Sequence, residues 1–250
     1  MQIQASEVDL STPTGTMRCY VYRPKTEAGA AAKKYPAIIL YSEIFQQTGP
    51  IRRSAQTMAG HGFVVVVPEV FHELNPLGTV LGYDDAGRDK GNADKVAKHL
   101  EAHDSDAQAI IDYLATLDFT SGKVGAMGFC LGGGLAYRAA LNPAIAATSC
   151  FYATDIHSGL TPSQPGNESL VRTGDIQGEL QMVWGKQDPH IPPEGRAVVY
   201  QNLVAHGVNF TWHEFNGVHA FMRDEGERFD AELQLLGYQM AIGMFRRVLY

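Results

Sequence analysis

The chain carries 250 residues, 45% of them hydrophobic, with a formal net charge of −7 and three cysteines. That is enough chain and apolar content for one domain with a large core. The acidic balance argues against nucleic acid or an anionic membrane surface as a partner, and no apolar run approaches the roughly 18 residues of a membrane span.

The N-terminal segment reads as an antiparallel hairpin, Val8-Asp9-Leu10 turning through Pro13-Thr14-Gly15 into Cys19-Tyr20-Val21-Tyr22. Its opening, MQIQASEVDL, has neither a basic nor an apolar leader region, so no secretory signal is expected. Thr26 to Lys34 is Ala/Gly-rich and reads as a surface connection. Ala37–Tyr41 and Phe63–Val67 are continuous apolar runs of the kind that form strands buried on both faces, with a helix over about Ile51–Ala59 between them. A further helix is expected over about Ser105–Leu117, with Ile110, Ile111, Leu114 and Leu117 as its apolar stripe. Then come a strand at Lys123–Met127, a helix over about Gly133–Leu141 stopped by Asn142-Pro143, and strands at Ala146–Tyr152 and Leu180–Trp184. A helix near Arg196–Ala205, a strand at Phe210–Phe215 and a long amphipathic helix over Phe229–Val248 complete the chain. Buried strands alternating with helices predict an α/β fold, a mostly parallel sheet covered on both faces, formed by residues 1–250 as a single domain. Glu69–His103 and Asp155–Gly178 lack periodicity and read as long loops of the kind that form lids or binding segments.

The densest chemistry lies at residues 127–136, MGFCLGGGLA. Gly128-Phe129-Cys130-Leu131-Gly132 fits G-x-S-x-G with cysteine in the serine position, between a strand and a helix as that motif requires. The nucleophile of such an elbow occupies a strained turn, so side chains two positions to either side would collide, and the helix N-terminus behind it favours thiolate. A buried spacer cysteine is the bland alternative. A dinucleotide loop fails, because no G-x-G-x-x-G register fits and no acidic residue ends the next strand. Cys19 and Cys150 lie in strand-like runs and read as core. The odd, irregularly spaced cysteines match neither a disulfide framework nor a zinc site and suit a reducing cytoplasm.

A cysteine nucleophile needs a base and the base an orienting carboxylate, in the chain order nucleophile, acid, histidine. The loop after Leu180–Trp184 offers Asp188, and the loop after Phe210–Phe215 offers His219; Asp155 is the alternative acid. His213 falls inside a strand and His206 at a helix end. The run HEFNGVH is no helical zinc signature, since its histidines are six apart across Gly217; neither a metal nor an organic cofactor is called for. An oxyanion hole would use the N–H of Leu131 and one from the Tyr41–Phe45 turn, with Ile44 as the candidate donor. Glu43 beside it is unusual, because a carboxylate near a thiol opposes thiolate formation.

These blocks, Gly128–Gly133, Glu43-Ile44-Phe45, Trp184-Gly185 through Asp188-Pro189, and His219-Ala220-Phe221 followed by Arg223, resemble the dienelactone hydrolase family, the cysteine branch of the α/β-hydrolases, over nearly the whole chain. The resemblance implies an α/β-hydrolase fold, Cys130 as nucleophile, His219 as base, Asp188 as its partner, and Glu43 near the thiol setting its protonation. It implies hydrolysis of carboxymethylenebutenolide-like lactones, with Arg223 by position and Arg88 more loosely holding the substrate carboxylate. The run GYDDAGRDKGNADK departs from the family pattern in length and is expected to reshape the pocket. Pairing of Arg223 with Glu225 or Glu227 is the structural alternative for that residue. The reading is therefore a hydrolase of small esters or lactones, monomeric or weakly homo-oligomeric. A general esterase or thioesterase, or an inactive binding protein on the same fold, is the competing expectation.

Overall fold

The computed structural model describes residues 1–25 and 33–250. The connection expected over 26–34 therefore falls largely outside the described residues. One sheet of eight strands runs through the molecule in the order β1-β2-β4-β3-β5-β6-β7-β8. The strands are β1 (Ile3–Thr12), β2 (Gly15–Pro24), β3 (Tyr35–Tyr41), β4 (Val64–Pro68), β5 (Thr120–Phe129), β6 (Ile145–Phe151), β7 (Glu179–Gly185) and β8 (Phe210–Phe215). β1 and β2 form the N-terminal hairpin, registered from Ile3 opposite Pro24 to Thr12 opposite Gly15, and β2 joins β4 antiparallel. All remaining pairs are parallel.

The helices are α1 (Gly49–Gly60), α2 (Asp85–Ala97), α3 (Leu100–Ala115), α4 (Leu131–Ala139), α5 (Pro193–Ala205) and α6 (Ala231–Leu249). Every residue of β3 and β4 is buried, as continuous β-branched and aliphatic runs require when helices cover both faces. α1 packs on β2 and β4, α4 on β5, β6 and β3, and α6 across β5, β6 and β7. No helix among the described residues is long and apolar enough to cross a membrane.

The segment 69–103, expected as a loop, contains all of α2 and the first turn of α3. α2 has no apolar stripe because its buried positions are Gly87, Gly91 and Asp94. A Cβ on Gly91 would stand 2.7 Å from the Ile44 carbonyl oxygen, so glycine is what lets the helix backbone lie against the β3–α1 turn. The start of α3, Leu100–Asp104, escapes a periodicity reading for a related reason: its buried positions are Leu100 and the polar His103, and one turn on the inward face carries Asp106. Asp106 is satisfied there by the buried Lys98 ammonium at 2.6 Å and by His72 at 3.1 Å. The segment 155–178, by contrast, holds only a 3₁₀ turn at Thr173–Asp175.

This topology locates the functional crevice. The chain steps outward from β3 to β4 and then back across to β5, so the strand order reverses between β3 and β5. In open α/β sheets ligands bind at the carboxyl ends of the strands flanking such a switch. Here those ends are the Ser42–Thr48 turn and Cys130.

Candidate active site

Cys130 caps α4 with φ 57° and ψ −121°, left-handed geometry that a side-chain-bearing residue adopts at a cost of order 1–3 kcal/mol. Main-chain bonds hold the strain: the Cys130 N–H donates to Phe151 O at 3.1 Å, and its carbonyl accepts from Gly133 at 3.0 Å and Thr154 at 3.1 Å. The flanking glycines are sterically required, since a Cβ on Gly128 would lie 1.9 Å from the Gly132 carbonyl oxygen. The turn leaves the thiol partly exposed at the N-terminus of α4, while Cys19 and Cys150 are fully buried in β2 and β6, where desolvation pushes their thiols up. Leu131, the first residue of α4, has no intrahelical acceptor for its N–H, and neither it nor Ile44 donates its main-chain N–H to any described protein group. Both side chains are buried.

Asp188 and His219, from the loops after β7 and β8, meet directly. The His219 Nδ1–H donates to Asp188 Oδ2 at 2.6 Å, and Asp188 Oδ1 accepts the His190 main-chain N–H at 2.8 Å. Burial opposes charge on the His219 ring, but the neighbouring Cys130 and the hydrogen bond to Asp188 outweigh it and push the imidazole up to about 10. An imidazolium stabilised this way is the partner a thiolate needs. Asp155, the alternative acid, lies elsewhere in the network: its carboxylate takes the Lys95 ammonium at 3.2 Å and the Thr154 hydroxyl at 2.7 Å.

Glu43 is 3% exposed, and one of its oxygens, Oε2, has no hydrogen-bond partner. Burial pushes its carboxyl above the usual range, against the pull of Arg223 and His219. Arg223 Nη1 lies 3.7 Å from Glu43 Oε2, a Coulombic contact rather than a hydrogen bond, and Arg223 Nε is itself buried and unpartnered. The guanidinium stacks over the Tyr83 ring at 4.3 Å, and Tyr83 meets Phe45 edge-on at 4.8 Å. Among the described residues Arg223 pairs with neither Glu225 nor Glu227, and Glu225 engages Arg53 at 2.8 Å instead. Arg88 sits on the exposed side of α2 with its guanidinium engaged by Asp85 at 2.8 Å and Asp89 at 3.1 Å, and it makes no ion pair with Glu43 among the described residues.

Sequence reasoning missed Tyr83, Tyr152 and His190. Tyr83 stands in the GYDDAGRDK run, whose unusual length was the only available signal. Tyr152 directly follows β6 with its ring 5.2 Å from His219, and that position after a buried strand beside the elbow could have marked it.

Comparison with known proteins places the chain in a family. A sequence model of the dienelactone hydrolase family matches residues 17–249. A Saccharomyces cerevisiae protein named as a candidate carboxymethylenebutenolidase is 42% identical over 234 residues, covering 90% of this chain and 85% of its own length. A Synechocystis protein of the same description is 30% identical over 86% of this chain and 87% of its own. Among solved structures, a candidate dienelactone hydrolase from Klebsiella pneumoniae superposes with a TM-score of 0.83 at 21% identity, covering 98% of this chain and 99% of that one, a likeness of fold. The matches in sequence and fold span the chain from the N-terminal hairpin to α6, and on them this hydrolase belongs to the dienelactone hydrolase family.

Proposed function

We propose that the protein hydrolyses small esters or lactones through a thioester on Cys130, with His219 as general acid and base and Asp188 as its orienting partner. The Cys130 thiolate attacks the acyl carbon, and the carbonyl electron pair moves onto an oxygen lying toward the Ile44 and Leu131 N–H groups. Collapse of that adduct breaks the C–O bond, and the leaving oxygen takes the proton from the His219 imidazolium; in a lactone it stays tethered to the acyl group. Neutral His219 then accepts a proton from water as the water attacks the thioester. The thiolate leaves and the carboxylic acid is released. The 2.6 Å bond from His219 to Asp188, made in the crevice where the strained Cys130 turn presents its thiol, is the observation that carries this reading.

The substrate class follows from the other wall of the crevice. The acidic chain repels an anion at long range, so an anionic substrate needs a local cation. Arg223 supplies one that no carboxylate among the described residues engages by a close hydrogen bond. A lactone or ester bearing a carboxylate fits that chemistry, as the names of the relatives also suggest. Brief treatment of the native protein with iodoacetamide should give one adduct, on Cys130, with ester turnover lost in proportion. Full turnover by stoichiometrically alkylated protein would sink the nucleophile assignment.

A further inference from the structure

His190 belongs to none of the roles above, yet it touches both the proposed base and its orienting carboxylate. Its main-chain N–H holds Asp188 Oδ1 at 2.8 Å, which leaves Oδ2 to receive the His219 ring. Its side chain then turns back onto that ring: the two imidazole centroids are 4.6 Å apart with their planes at 75°. This is closer than the 5.2 Å contact of Tyr152 with the same ring. His219 is thus gripped from three directions, by a carboxylate at Nδ1 and by two rings set edgewise against it.

We propose that His190 is a positioning residue for His219, its ring acting with Tyr152 to fix the imidazole in the orientation that keeps Nδ1 on Asp188 and Nε2 toward Cys130. The inference rests on His219 being the general base. The chemistry of a second imidazole suits this role only if it stays uncharged. The surroundings favour that state: burial of the ring, together with the charges of His219, Arg228 and Lys95, lowers its proton affinity against the opposing pull of Asp188. Two adjacent imidazolium rings would repel, so a neutral His190 can press on His219 without discouraging the charge that His219 must carry beside a thiolate. Lys95 is partly neutralised by Asp155 at 3.2 Å, which keeps the brace from becoming a cation cluster. An edge-on ring contact is worth little energy by itself, but a base must sit within hydrogen-bond reach of its target, and small misplacements cost rate out of proportion to their size.

The test pairs a truncation with an aromatic replacement. His190→Ala removes the ring and leaves the main-chain bond to Asp188; kcat for an activated ester should fall about tenfold with KM within about twofold. His190→Phe restores an edge against His219 and should recover most of that loss. A readout independent of turnover is the downfield proton resonance of the His219 Nδ1–H bonded to Asp188. It should persist in the wild type and in His190→Phe and broaden into solvent exchange in His190→Ala. Unchanged kcat and an unchanged resonance in His190→Ala would overturn the proposal, as would a phenylalanine variant no better than alanine. If the wild type turns over no ester at all, the reading of the function fails on its own, while the resonance still decides what His190 does.

Discussion

The two walls of the crevice are built on different principles. On one wall, Cys130, Asp188 and His219 sit at the carboxyl ends of β5, β7 and β8, and main-chain geometry places them: a left-handed turn, a helix N-terminus and glycines whose replacement would strike backbone. On the other wall, Glu43, Arg223 and Tyr83 arrive from the turn after β3, the loop after β8 and the stretch before α2. Side-chain packing holds them together, with two polar atoms left without hydrogen bonds. A wall set by backbone tolerates almost no substitution. A wall set by side chains can be retuned residue by residue, which suits a reaction type kept constant while the substrate varies.

If that contrast is right, damage on the first wall should be severe for every substrate. Asp188→Asn should cost on the order of 10⁴-fold in kcat, because an amide cannot hold the same imidazole tautomer. His219→Ala should cost about 10²–10⁴-fold, both with near-native circular dichroism. A mild Asp188→Asn alongside a crippling Asp155→Asn would move the acid to the loop after β6.

On the second wall the effect should depend on the substrate. Arg223→Ala should lower kcat/KM for a carboxylate-bearing lactone about tenfold or more, since hydrogen bonds to charged groups are worth roughly 1.5–3 kcal/mol. A neutral ester of the same size should be nearly unaffected. Equal losses on both would make Arg223 structural and turn the reading toward a general esterase.

The smallest effect concerns stability. Burial raises the Glu43 carboxyl above its unfolded value, so its ionised form costs stability. That cost is absent below the ordinary carboxylate range and grows as pH rises through and beyond it. Glu43→Gln should therefore melt about 2–4 °C above the wild type at pH 7, corresponding to roughly 1 kcal/mol. The gain should vanish near pH 4. An equal gain at both pH values would show that the carboxylate is not what strains the turn. The same variant should alkylate at Cys130 faster at pH 7 but no faster near pH 4, because the negative charge that the family resemblance sets beside the thiol is absent once the carboxyl is protonated.

The strands β3 and β4 are legible from the chain alone because short, continuous β-branched and aliphatic runs mark strands buried on both faces. The elbow is legible because steric exclusion around one strained residue writes glycines at fixed spacing beside it. Chain order then leads to the loops that carry Asp188 and His219. Periodicity has nothing to register in α2, whose contact face is glycine and whose partner is a turn distant in sequence. It is equally blind to the start of α3, whose inward positions include the polar His103. Arg223 and Arg88 show the same limit on the functional side, since one motif-level resemblance suggested both as carboxylate ligands. Only the packing of Tyr83 holds the first guanidinium beside Glu43, while Asp85 and Asp89 hold the second at the surface. Local sterics and burial are properties of short stretches of chain, so sequence determines them. Which charged side chain faces which depends on contacts between segments far apart, and those exist only once the sheet has brought them together.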